Sequence, residues 1–418
     1  MTHHTWDAIV VGGGAAGYYG AITCAEAIRD SGRKAPARVL ILERASRVLQ
    51  KVKISGGGRC NITHACLDPQ EMASRYPRGH KALRGALHRF GVRETIDWFE
   101  SRGVWLKTES DGRMFPTTDD SQSVIDCLTR AADEAGVELL TGAHITRVES
   151  SSEDQEARFI VHLQGGERLR CRSLLLATGG TRLKGSAEMA TMVEHLLERA
   201  VPSLFTFRIQ DPRIHGLQGL SVAHTETAIV GEPLAESGPL LLTHWGMSGP
   251  GILKISAWGA RTLHALDYHF ELEVNWLPGV DLAARFHALR DEWGKRHVAA
   301  RSPFDAIPKR LWERLVQAAG IDERCRWAEF SKKQSARLIA ELQAARFDVI
   351  GKSTNKDEFV TCGGIKTRDV DMRTMQSKLV PGLYFAGELL DIDGVTGGYN
   401  FQNAWTTGHI AGHAMASR

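Results

Sequence analysis

The chain has 418 residues, 43% of them hydrophobic and 24% charged, and its 52 Lys and Arg against 49 Asp and Glu give a formal net charge of +3. This length exceeds one comfortable hydrophobic core, so we expect two or three domains of an ordinary globular protein. No apolar run is long enough to span a bilayer and none has the pattern of a secretory signal, which argues against a membrane anchor and predicts a cytoplasmic location.

A strand, a glycine-rich turn and a helix open the chain. The apolar run Ala8–Val11 is typical of a buried parallel strand, and Tyr18–Arg29 predict the helix that follows. The turn between them has GxGxxG spacing, which lets the backbone approach a pyrophosphate while the helix N-terminus offers N–H groups to it. The residues assigned to dinucleotide binding here are Gly12, Gly14, Ala15, Ala16 and Gly17.

A second apolar strand, Arg38–Leu42, ends in an acid. Glu43 stands where such a unit needs a carboxylate to accept hydrogen bonds from a ribose, and Arg44 follows it. The stretch from Gly17 to Glu43 is longer than usual, and Gly32–Ala37 would form the extra loop. The alternative is a glycine-rich turn with an ordinary exposed Glu after a strand.

Three consecutive glycines interrupt the next stretch, Lys51–Thr63. They allow the backbone to lie against a flat or anionic ligand, whereas the alternative is a flexible surface loop. The residues assigned to ligand binding here are Lys51, Ser55, Gly56, Gly57, Gly58, Arg59 and Asn61. Arg59 would pair with a phosphate or an anionic substrate oxygen, or would form a surface ion pair instead.

Helices and strands alternate up to about residue 180. The patterns predict helices over 82–103 and 121–136, a strand over 137–140, strand pieces over 143–149, 158–163 and 168–171, and an apolar strand over 173–176. This last strand leads into a second glycine turn, formed by Thr178, Gly179 and Gly180, which is also assigned to the ligand.

The pattern changes after Gly180. It predicts a helix over 186–200, a small β-rich domain over 203–277 and helices over 281–346; strand signals return at Glu358, and a C-terminal helix covers 400–416. The helical stretch carries 14 Lys and Arg against 9 Asp and Glu. This balance would suit nucleic-acid binding, but the acids are interspersed, so a solvated amphipathic face is the alternative.

The cysteines and histidines indicate neither redox dithiols nor metal ligands. The seven cysteines include no CxxC pair, and the 17 histidines form no HExxH or two-His-plus-acid cluster. The sequence therefore argues against a disulfide reductase and predicts no metal site.

A second glycine-rich segment lies near the C-terminus. The strand pattern Leu383–Ala386 leads to Gly387 and Glu388, and the run Gly397–Asn400 (Gly397, Gly398, Tyr399, Asn400) precedes the last helix. Together with the opening turn, these residues predict one nucleotide-binding sheet built from both chain ends, with domains inserted between them.

These motifs carry a family resemblance. The chain resembles the YhiN/BaiN-like FAD-binding flavoproteins, also labelled aminoacetone-oxidase-like, over most of its length. The motifs that match in order are Gly12–Gly17, Ser55–Asn61, Ala177–Gly180, Thr243–Pro250, Thr361–Gly364 and Lys378–Gly412. The chain departs from the family pattern at Thr181–Glu188, where a Pro- and Gly-rich stretch is usual, and at Asn403, where a bulky aromatic is usual.

The resemblance implies an α/β fold with a Rossmann-like FAD-binding domain of residues 1–200 plus 351–418, an inserted β-barrel-like substrate domain of residues 201–280, and an inserted helical domain of residues 281–350. It implies FAD, usually reduced by NAD(P)H. Because no second GxGxxG domain is visible, NAD(P)H would be a diffusible reductant that visits the flavin face, or the reductant is another compound. Glu388 would accept hydrogen bonds from the ribityl or pyrophosphate region. Gly397 and Gly398 would pass close to the isoalloxazine, unless they form a plain loop, and the next helix dipole would favour anionic reduced flavin by about 1 kcal/mol.

The resemblance also implies a reaction. Family members reduce activated carbon–carbon double bonds, on steroid-like acids in one branch and on a ribosomal RNA uridine in another. Hydride transfer from flavin N5 to one carbon then requires a proton from a positioned acid at the other. The candidates are Cys60, His64, His244 and Tyr399, with Cys60 first because a thiol donates a proton without carrying positive charge; a small packing residue is the alternative.

Three hypotheses follow. The first is an FAD-dependent reductase of a small unsaturated carbonyl compound, which makes a small-molecule substrate the expected partner. The second is a ribosomal RNA dihydrouridine synthase that binds RNA through the basic helices. The third is a flavin-binding regulatory protein without turnover.

Overall fold

A computed structural model describes residues 5–150, 157–182, 184–353 and 360–417. Two compact units divide the chain: Met1–Val201 with Val360–Arg418 form the first, and Pro202–Phe359 form the second. The second unit is thus inserted into the first along the chain. Leu183, in the stretch that departs from the family pattern, and Glu358, where strand signals return, lie outside the described residues.

Strands and helices alternate in the N-terminal part of the chain. Its elements are β1 (Thr5–Val11), α1 (Ala15–Asp30), β2 (Val39–Glu43), α2 (Gln50–Ile54), β3 (Thr63–His64), α3 (Pro69–Ser74), α4 (His80–Leu87), α5 (Val92–Glu100), β4 (Leu106–Thr108), β5 (Arg113–Pro116), α6 (Ser121–Glu134), β6 (Glu138–Thr141), β7 (Ile145–Ser150), β8 (Phe159–Leu163), β9 (Arg168–Leu176), α7 (Lys184–Met192) and β10 (Leu197–Ser203). The predicted strand–turn–helix–strand order at the N-terminus is present.

The second unit combines a barrel with helices. Its elements are β11 (Phe207–Ile209), β12 (Ser221–Ile229), β13 (Ala235–Leu242), β14 (Gly246–Ser248), α8 (Pro250–Trp258), α9 (Ala260–Ala265), β15 (His269–Asn275), α10 (Leu282–Glu292), α11 (Lys309–Ala318), α12 (Lys332–Gln343) and β16 (Ala345–Lys352). The strands close in the order β11-β14-β13-β12-β15-β16. One apolar core, which includes the fully buried Trp276, Trp312 and Trp327, joins the barrel to its helices.

The C-terminal part returns to the first unit. Its elements are β17 (Val360–Ile365), β18 (Val370–Asp371), β19 (Gln376–Ser377), β20 (Leu383–Phe385) and α13 (Tyr399–Ala416). Strand β20 is short and fully buried, and α13 is the last element.

The main sheet draws its strands from both ends of the chain. Strands β6, β2, β1, β9 and β20 are neighbours in that order, and all of these pairs are parallel. Val11 and Phe385 both pair with Leu176 of β9. The carboxyl ends of β1, β9 and β20 therefore meet at one edge, because parallel strands in register end together.

Glycines let α1 and α13 pack closely against each other. A Cβ atom added at Gly408 would lie 2.6 Å from the carbonyl oxygen of Ala16, and one added at Gly412 would lie 2.5 Å from that of Gly20. Only glycine fits at such distances, so the first and last helices of the chain are in backbone contact. This contact complements the β1–β9–β20 pairing in joining the two ends.

The structure corrects the predicted helix over 186–200. Helix α7 ends at Met192, and strand β10 begins at Leu197. Glu194 has a left-handed φ of 61°, and the imidazole of His195 lies 2.7 Å from the carbonyl oxygen of Val193 and 2.8 Å from Oγ of Ser377. Pairing of β10 with β17 satisfies backbone groups that a longer helix would have paired internally.

Two further stretches are more divided than predicted. The helix expected over 82–103 is interrupted between Leu87, where α4 ends, and Val92, where α5 begins after its N-cap Gly91. The β-rich stretch 203–277 also contains α8 and α9. The assignment of 201–280 and 281–350 to separate domains stays a prediction. Strand β16, which follows the helices, pairs with β15 and β11 of the barrel.

Candidate functional site

Four predicted ligand-binding segments follow the carboxyl ends of parallel strands. β1 leads into the GxGxxG turn, β2 ends at Glu43, β9 leads to Thr178, and β20 leads to Gly387. In open α/β sheets, ligands bind outside this edge. The sheet therefore brings segments as distant in sequence as Gly12 and Glu388 to the same edge.

The GxGxxG turn leaves the N-terminus of α1 open. Gly12 has φ of 113°, and a Cβ atom there would lie 2.4 Å from the carbonyl oxygen of Ala177. Gly14, the N-cap, has no heavy atom within 4 Å of an added Cβ, no side chain caps the helix, and its first turn holds no acid. The first N–H groups of α1 are thus left without a side-chain cap, as phosphate binding requires. Gly17 packs against Gly12, while Ala15 and Ala16 form the first turn.

Glu43 holds the opening turn in place. Its carboxylate accepts hydrogen bonds from the N–H of Gly13 at 2.8 Å and of Ala45 at 2.7 Å. Each carboxylate oxygen has a further lone pair, so Glu43 retains the capacity to accept from a ribose hydroxyl. Arg44, next in the chain, is exposed.

The turn after β9 carries buried hydroxyls that lack partners among the described residues. Thr178 Oγ1 and Thr181 Oγ1 are both buried without a hydrogen-bond partner. Between them, Gly179 has φ of 76° and open space beyond its Cα, whereas a Cβ at Gly180 would lie 2.1 Å from Oγ1 of Thr361. Buried polar groups are rarely left unpaired, so a bound group that hydrogen-bonds to these hydroxyls fits here.

Glu388 is already hydrogen-bonded on both oxygens. It accepts from the N–H of Thr361 at 2.8 Å and forms an ion pair with Lys51. Gly387 has φ of 71°, and its N–H donates to Oγ1 of Thr407 at 2.9 Å. The Glu388 carboxylate therefore connects β17 and α2, and any ligand contact would use its remaining lone pairs.

The three-glycine loop is built from left-handed residues. Gly56, Gly57 and Gly58 have φ of 57°, 69° and 87°, and nothing lies within 4 Å of a Cβ added at Gly57 or Gly58. After Arg59, which has a right-handed φ of −93°, Cys60 is again left-handed with φ of 61°, and its N–H donates to the carbonyl oxygen of Ser55 at 3.0 Å. The loop is thus a defined turn with an open glycine surface.

Cys60 is fully buried. Burial, the larger cause, raises the pKa of its thiol to about 12 although a hydrogen bond with Ser55 opposes the shift. The thiol stays protonated at neutral pH, but the side chain exposes none of its surface. This placement favours the alternative given above for Cys60, that of a small packing residue.

Arg59 makes an ion pair on the surface of the loop. Its guanidinium lies 2.6 Å from a Glu109 carboxylate oxygen and 3.5 Å from one of Asp119, and stacks 4.0 Å from the ring centroid of Phe115. Arg59 is therefore already engaged by two carboxylates and an aromatic ring, which favours the ion-pair alternative over phosphate binding.

Asn61 links the three-glycine loop to the C-terminal glycine pair. With its amide oriented to match its partners, the nitrogen donates to the carbonyls of Met114 at 3.1 Å and Thr63 at 2.9 Å, and the oxygen accepts from the N–H of Gly398 at 2.9 Å. A Cβ at Gly398 would lie 2.4 Å from the carbonyl oxygen of Thr63. Asn400 acts similarly, bonding both backbone groups of Gly394.

His64 and Tyr399 form a stacked pair beside these glycines. Their ring centroids are 5.1 Å apart with an interplanar angle of 21°, and a Cβ at Gly397 would approach both rings. His64 Nε2 lies 3.1 Å from the carbonyl oxygen of Asp111, so it carries the hydrogen, and the buried Nδ1 has no described partner. Burial lowers the pKa of His64 and raises that of Tyr399 to about 12, which keeps both neutral.

The four catalytic candidates thus differ in placement. His64 and Tyr399 are in contact with each other. Cys60, at the end of the three-glycine loop, is fully buried, and His244 belongs to the second unit. His244 is exposed in the turn between β13 and β14.

Sequence reasoning missed several residues that position the site. Asp393, fully buried, pairs with Arg78 through two hydrogen bonds. Gln402 accepts from Oγ1 of Thr63 at 2.6 Å and donates to Oγ1 of Thr95 at 2.8 Å. An acid directly after an apolar residue and before the glycine pair would have identified Asp393, and a Gln in a helix without Lys, Arg, Asp or Glu would have identified Gln402.

Within the described ranges, the side chains form no metal centre and the helices no membrane span. No group of three or more His, Cys, Asp or Glu side chains there could hold a metal ion. Among the helices of those ranges, none has the length and apolar character needed to cross a bilayer.

Known proteins resemble the chain in sequence and in fold. A family model described as HI0933-like protein Rossmann domain matches residues 6–414. The chain is 28% identical over 419 residues to the 3-dehydro-bile acid delta(4,6)-reductase of Clostridium scindens, with 98% of each chain covered. It is 30% identical over 412 residues to the ribosomal RNA dihydrouridine synthase of Escherichia coli, with 96% of each covered.

A solved structure shares the fold. The 3-ketosteroid-delta4-(5alpha)-dehydrogenase from Rhodococcus jostii RHA1, in complex with 4-androstene-3,17-dione, aligns over 100% of this chain and 99% of its own with a TM-score of 0.52 and 16% identity. At this identity the likeness concerns the fold alone.

Proposed function

The chain belongs to the HI0933-like family of FAD-dependent oxidoreductases, and we propose that it reduces an activated carbon–carbon double bond of a small unsaturated carbonyl compound, with NAD(P)H as electron donor. The observation that carries this proposal is the convergence of the glycine turns after β1, β9 and β20 at one sheet edge, with an open helix N-terminus and unpartnered buried hydroxyls.

These residues fit FAD. The N–H groups of α1 at Gly14–Gly17 suit the pyrophosphate, and Glu43 suits the adenosine ribose. Thr178 and Thr181 would donate their unpartnered hydroxyls. Gly397 and Gly398 would give close backbone approach to the flavin ring, and the N-terminus of α13 would favour negative charge near it.

The chemistry requires one hydride and one proton. Bound and reduced FAD, held by the residues above, would supply the hydride that the β-carbon of the conjugated alkene requires. The α-carbon then takes a proton from a side chain of the protein, so C=C becomes CH–CH. A hydrogen bond to the carbonyl oxygen would stabilise the negative charge that develops there.

We assign the proton donor to Tyr399. It directly follows Gly398, it is neutral at physiological pH, and His64 stacks on its ring and restricts its orientation. Tyr76 adds a second restraint, because its hydroxyl donates to the carbonyl oxygen of Tyr399 at 2.6 Å. Tyr399 keeps 5% of its surface exposed, whereas Cys60 exposes none and the Nε2 of His64 is already hydrogen-bonded, which makes both weaker donors.

The Clostridium scindens relative supports this reaction class, since its name describes a delta(4,6)-reductase of a 3-dehydro-bile acid. The test begins with FAD reconstitution, followed by anaerobic mixing with NADPH or NADH and then with cyclic and acyclic unsaturated ketones. The expected result is bleaching of the flavin by one donor and a product heavier by two hydrogen atoms. A preparation that binds no FAD, or whose reduced flavin is reoxidised by none of the alkenes, contradicts the proposal.

A second candidate is ribosomal RNA dihydrouridine synthesis, as in the name of the Escherichia coli relative. The exposed cations Arg314, Lys332, Lys333 and Arg337 on α11 and α12 favour it. RNA affinity should then fall steeply with salt. Mass spectrometry of ribosomal RNA from a strain lacking the gene decides the matter: an unchanged dihydrouridine content removes this candidate.

A further inference from the structure

One stretch of the first unit carries positive charge without compensating acids. Residues 72–93 contain six Lys and Arg and no Asp or Glu, whereas the whole chain has 52 Lys and Arg against 49 Asp and Glu. Helix α4 lies within this stretch, and Lys81, Arg84 and its C-cap residue His88 follow one another at i, i+3 and i+7. Residues at this spacing share one face of a helix. These three residues are called the α4 surface below.

The α4 surface faces solvent. Lys81, Arg84 and His88 are exposed, while the larger apolar side chains of the helix are buried on its other side. The space between them is open, since a Cβ atom added at Gly85 would have no heavy atom within 4 Å. The helix therefore presents two cations, an imidazole and an open glycine backbone, and none of its apolar side chains is exposed.

The protein does not neutralise the cations of this surface. Among the described residues, neither Lys81 nor Arg84 forms an ion pair with a carboxylate. Arg89, just after the helix, donates to the backbone carbonyls of Met372 and Arg373, which are neutral acceptors. The positive charge of the segment therefore remains available to an anion from outside.

The position of Lys81 is electrostatically unfavourable unless an anion binds nearby. Lys81 lies in the first turn of α4, which holds no acid and has no side-chain cap. The N-terminus of a helix carries partial positive charge, so it repels a cation and attracts an anion. A local cost of this kind without a compensating contact is typical of functional sites.

Helix α4 begins next to the proposed reaction site. A Cβ atom added at Gly79, the N-cap of α4, would lie 2.5 Å from Cγ1 of Ile392. Ile392 shortly precedes the C-terminal glycine pair and Tyr399 in the chain. With a rise of 1.5 Å per residue, the α4 surface extends over about 10 Å from Lys81 to His88. Its charges thus form a line that starts close to the segment assigned to the flavin.

We propose that the α4 surface binds the phosphate backbone of RNA, with Lys81 and Arg84 each contacting a phosphate and His88 adding a hydrogen bond. A line of cations without a pocket suits an extended polyanion. A membrane would require exposed apolar side chains to insert, and the centre of a protein interface is usually aromatic or apolar; α4 exposes neither kind. This inference rests on the second candidate function and adds the surface that would hold the RNA.

The first test measures RNA binding without turnover. Fluorescence anisotropy of a labelled single-stranded oligoribonucleotide is followed with the full-length FAD-loaded protein over a range of salt concentrations. Lys81→Gln combined with Arg84→Gln, the α4 variant, should reduce the slope of log Kd against log salt by about 1.4, since each phosphate contact contributes about 0.7 in single strands. By the same relation, RNA affinity at about 0.1 M salt should fall about 25-fold.

The matched control is Arg29→Gln combined with Lys34→Gln, which removes two exposed cations of the same unit near the end of α1. It should leave the affinity and the salt dependence unchanged. No RNA binding, or equal binding by wild-type protein and the α4 variant, overturns the inference. So does RNA binding that only Lys332→Gln with Lys333→Gln, on α12, weakens. Binding of phosphatidylserine vesicles in place of RNA, lost in the α4 variant, overturns it in favour of a membrane surface.

The second test separates this inference from the candidate function. The wild-type gene and the α4 variant are returned to a strain that lacks the gene, and dihydrouridine in ribosomal RNA is measured by mass spectrometry. We expect the wild-type gene to restore the modification and the α4 variant to restore little of it, while the FAD content of the purified variant is unchanged. RNA binding through α4 by a protein that restores no dihydrouridine contradicts the candidate function alone. Full restoration by the α4 variant contradicts the α4 surface alone.

Discussion

The side chain of Asn61 accepts a hydrogen bond from the backbone N–H of Gly398 at 2.9 Å, while its amide nitrogen donates to the carbonyls of Met114 and Thr63. One half-buried amide thus connects the three-glycine loop to the glycine pair that begins α13. We propose that both glycine segments hold the flavin, so we expect the shape of the proposed cofactor site to depend on this amide.

Asn61→Ala should lower both stability and FAD affinity. The substitution removes the acceptor of the Gly398 N–H and one donor each from the carbonyls of Met114 and Thr63, although Met114 still accepts from the N–H of Ile62, at a cost of about 1–3 kcal/mol. Urea denaturation of the FAD-free protein and equilibrium dialysis of FAD measure the two effects. Asn61→Asp, which keeps the acceptor for Gly398 but loses the donated bonds, should give an intermediate result; Asn61→Ala protein with wild-type FAD affinity would contradict the bridging role.

Tyr399→Phe should slow alkene reduction by roughly 100-fold to 10,000-fold, the usual contribution of a positioned acid. Stopped-flow measurement of both half-reactions locates the effect: flavin reduction by NAD(P)H should be unaltered, because the ring and its stack on His64 remain. Cys60→Ala is the matched comparison and should retain near wild-type reoxidation. Slow reoxidation in Cys60→Ala together with near wild-type reoxidation in Tyr399→Phe would identify Cys60 as the proton donor instead.

Asp393→Ala should destabilise the protein by about 3–5 kcal/mol. Asp393 is fully buried and Arg78 nearly so, and removal of one partner from a buried ion pair leaves an uncompensated charge. Urea denaturation followed by far-UV circular dichroism measures the loss. Asp371→Ala removes a carboxylate from a pair with the exposed Arg373, and a loss of similar size there would contradict the argument from burial.

The protein should lose stability as the pH drops below about 6.5, because His409 takes up a proton in the unfolded state but not in the folded state. This ring stacks on Phe90 with centroids 3.9 Å apart, and burial, assisted by the nearby His413, lowers the pKa of His409 to about 3. The folded state therefore holds His409 neutral, whereas the unfolded state takes up a proton below its ordinary pKa of about 6.5. The contribution is complete above that pH and decreases on acidification.

The expected loss between pH 7 and pH 5.5 is about 1 kcal/mol from this group. Denaturation of wild-type protein and His409→Gln at both pH values isolates it, because the variant lacks the titrating ring. An equal pH dependence in the two proteins would show that other groups cause the acid sensitivity.

The sequence predicted the N-terminal strand, turn, helix and second strand correctly, because the residue patterns of that segment all favour the same unit. The apolar run of β1, the glycine spacing and the carboxylate of Glu43 occur in the order that one supersecondary unit requires, and the structure has that unit. The predicted Rossmann-like fold and the family resemblance are confirmed. The helix expected over 186–200 was wrong in its second half because β10 pairs with β17, a contact distant in sequence.

Residue types and spacing were enough to determine the cofactor class, because a pyrophosphate site needs glycines, a helix N-terminus and an acid at fixed positions along the chain. Only the tertiary structure decided which side chains are available for chemistry. Cys60 and Tyr399 are equally acceptable proton donors by type, yet packing buries the first completely and places the second against His64. Burial and contact between distant segments depend on how the whole chain packs, and no local pattern encodes them.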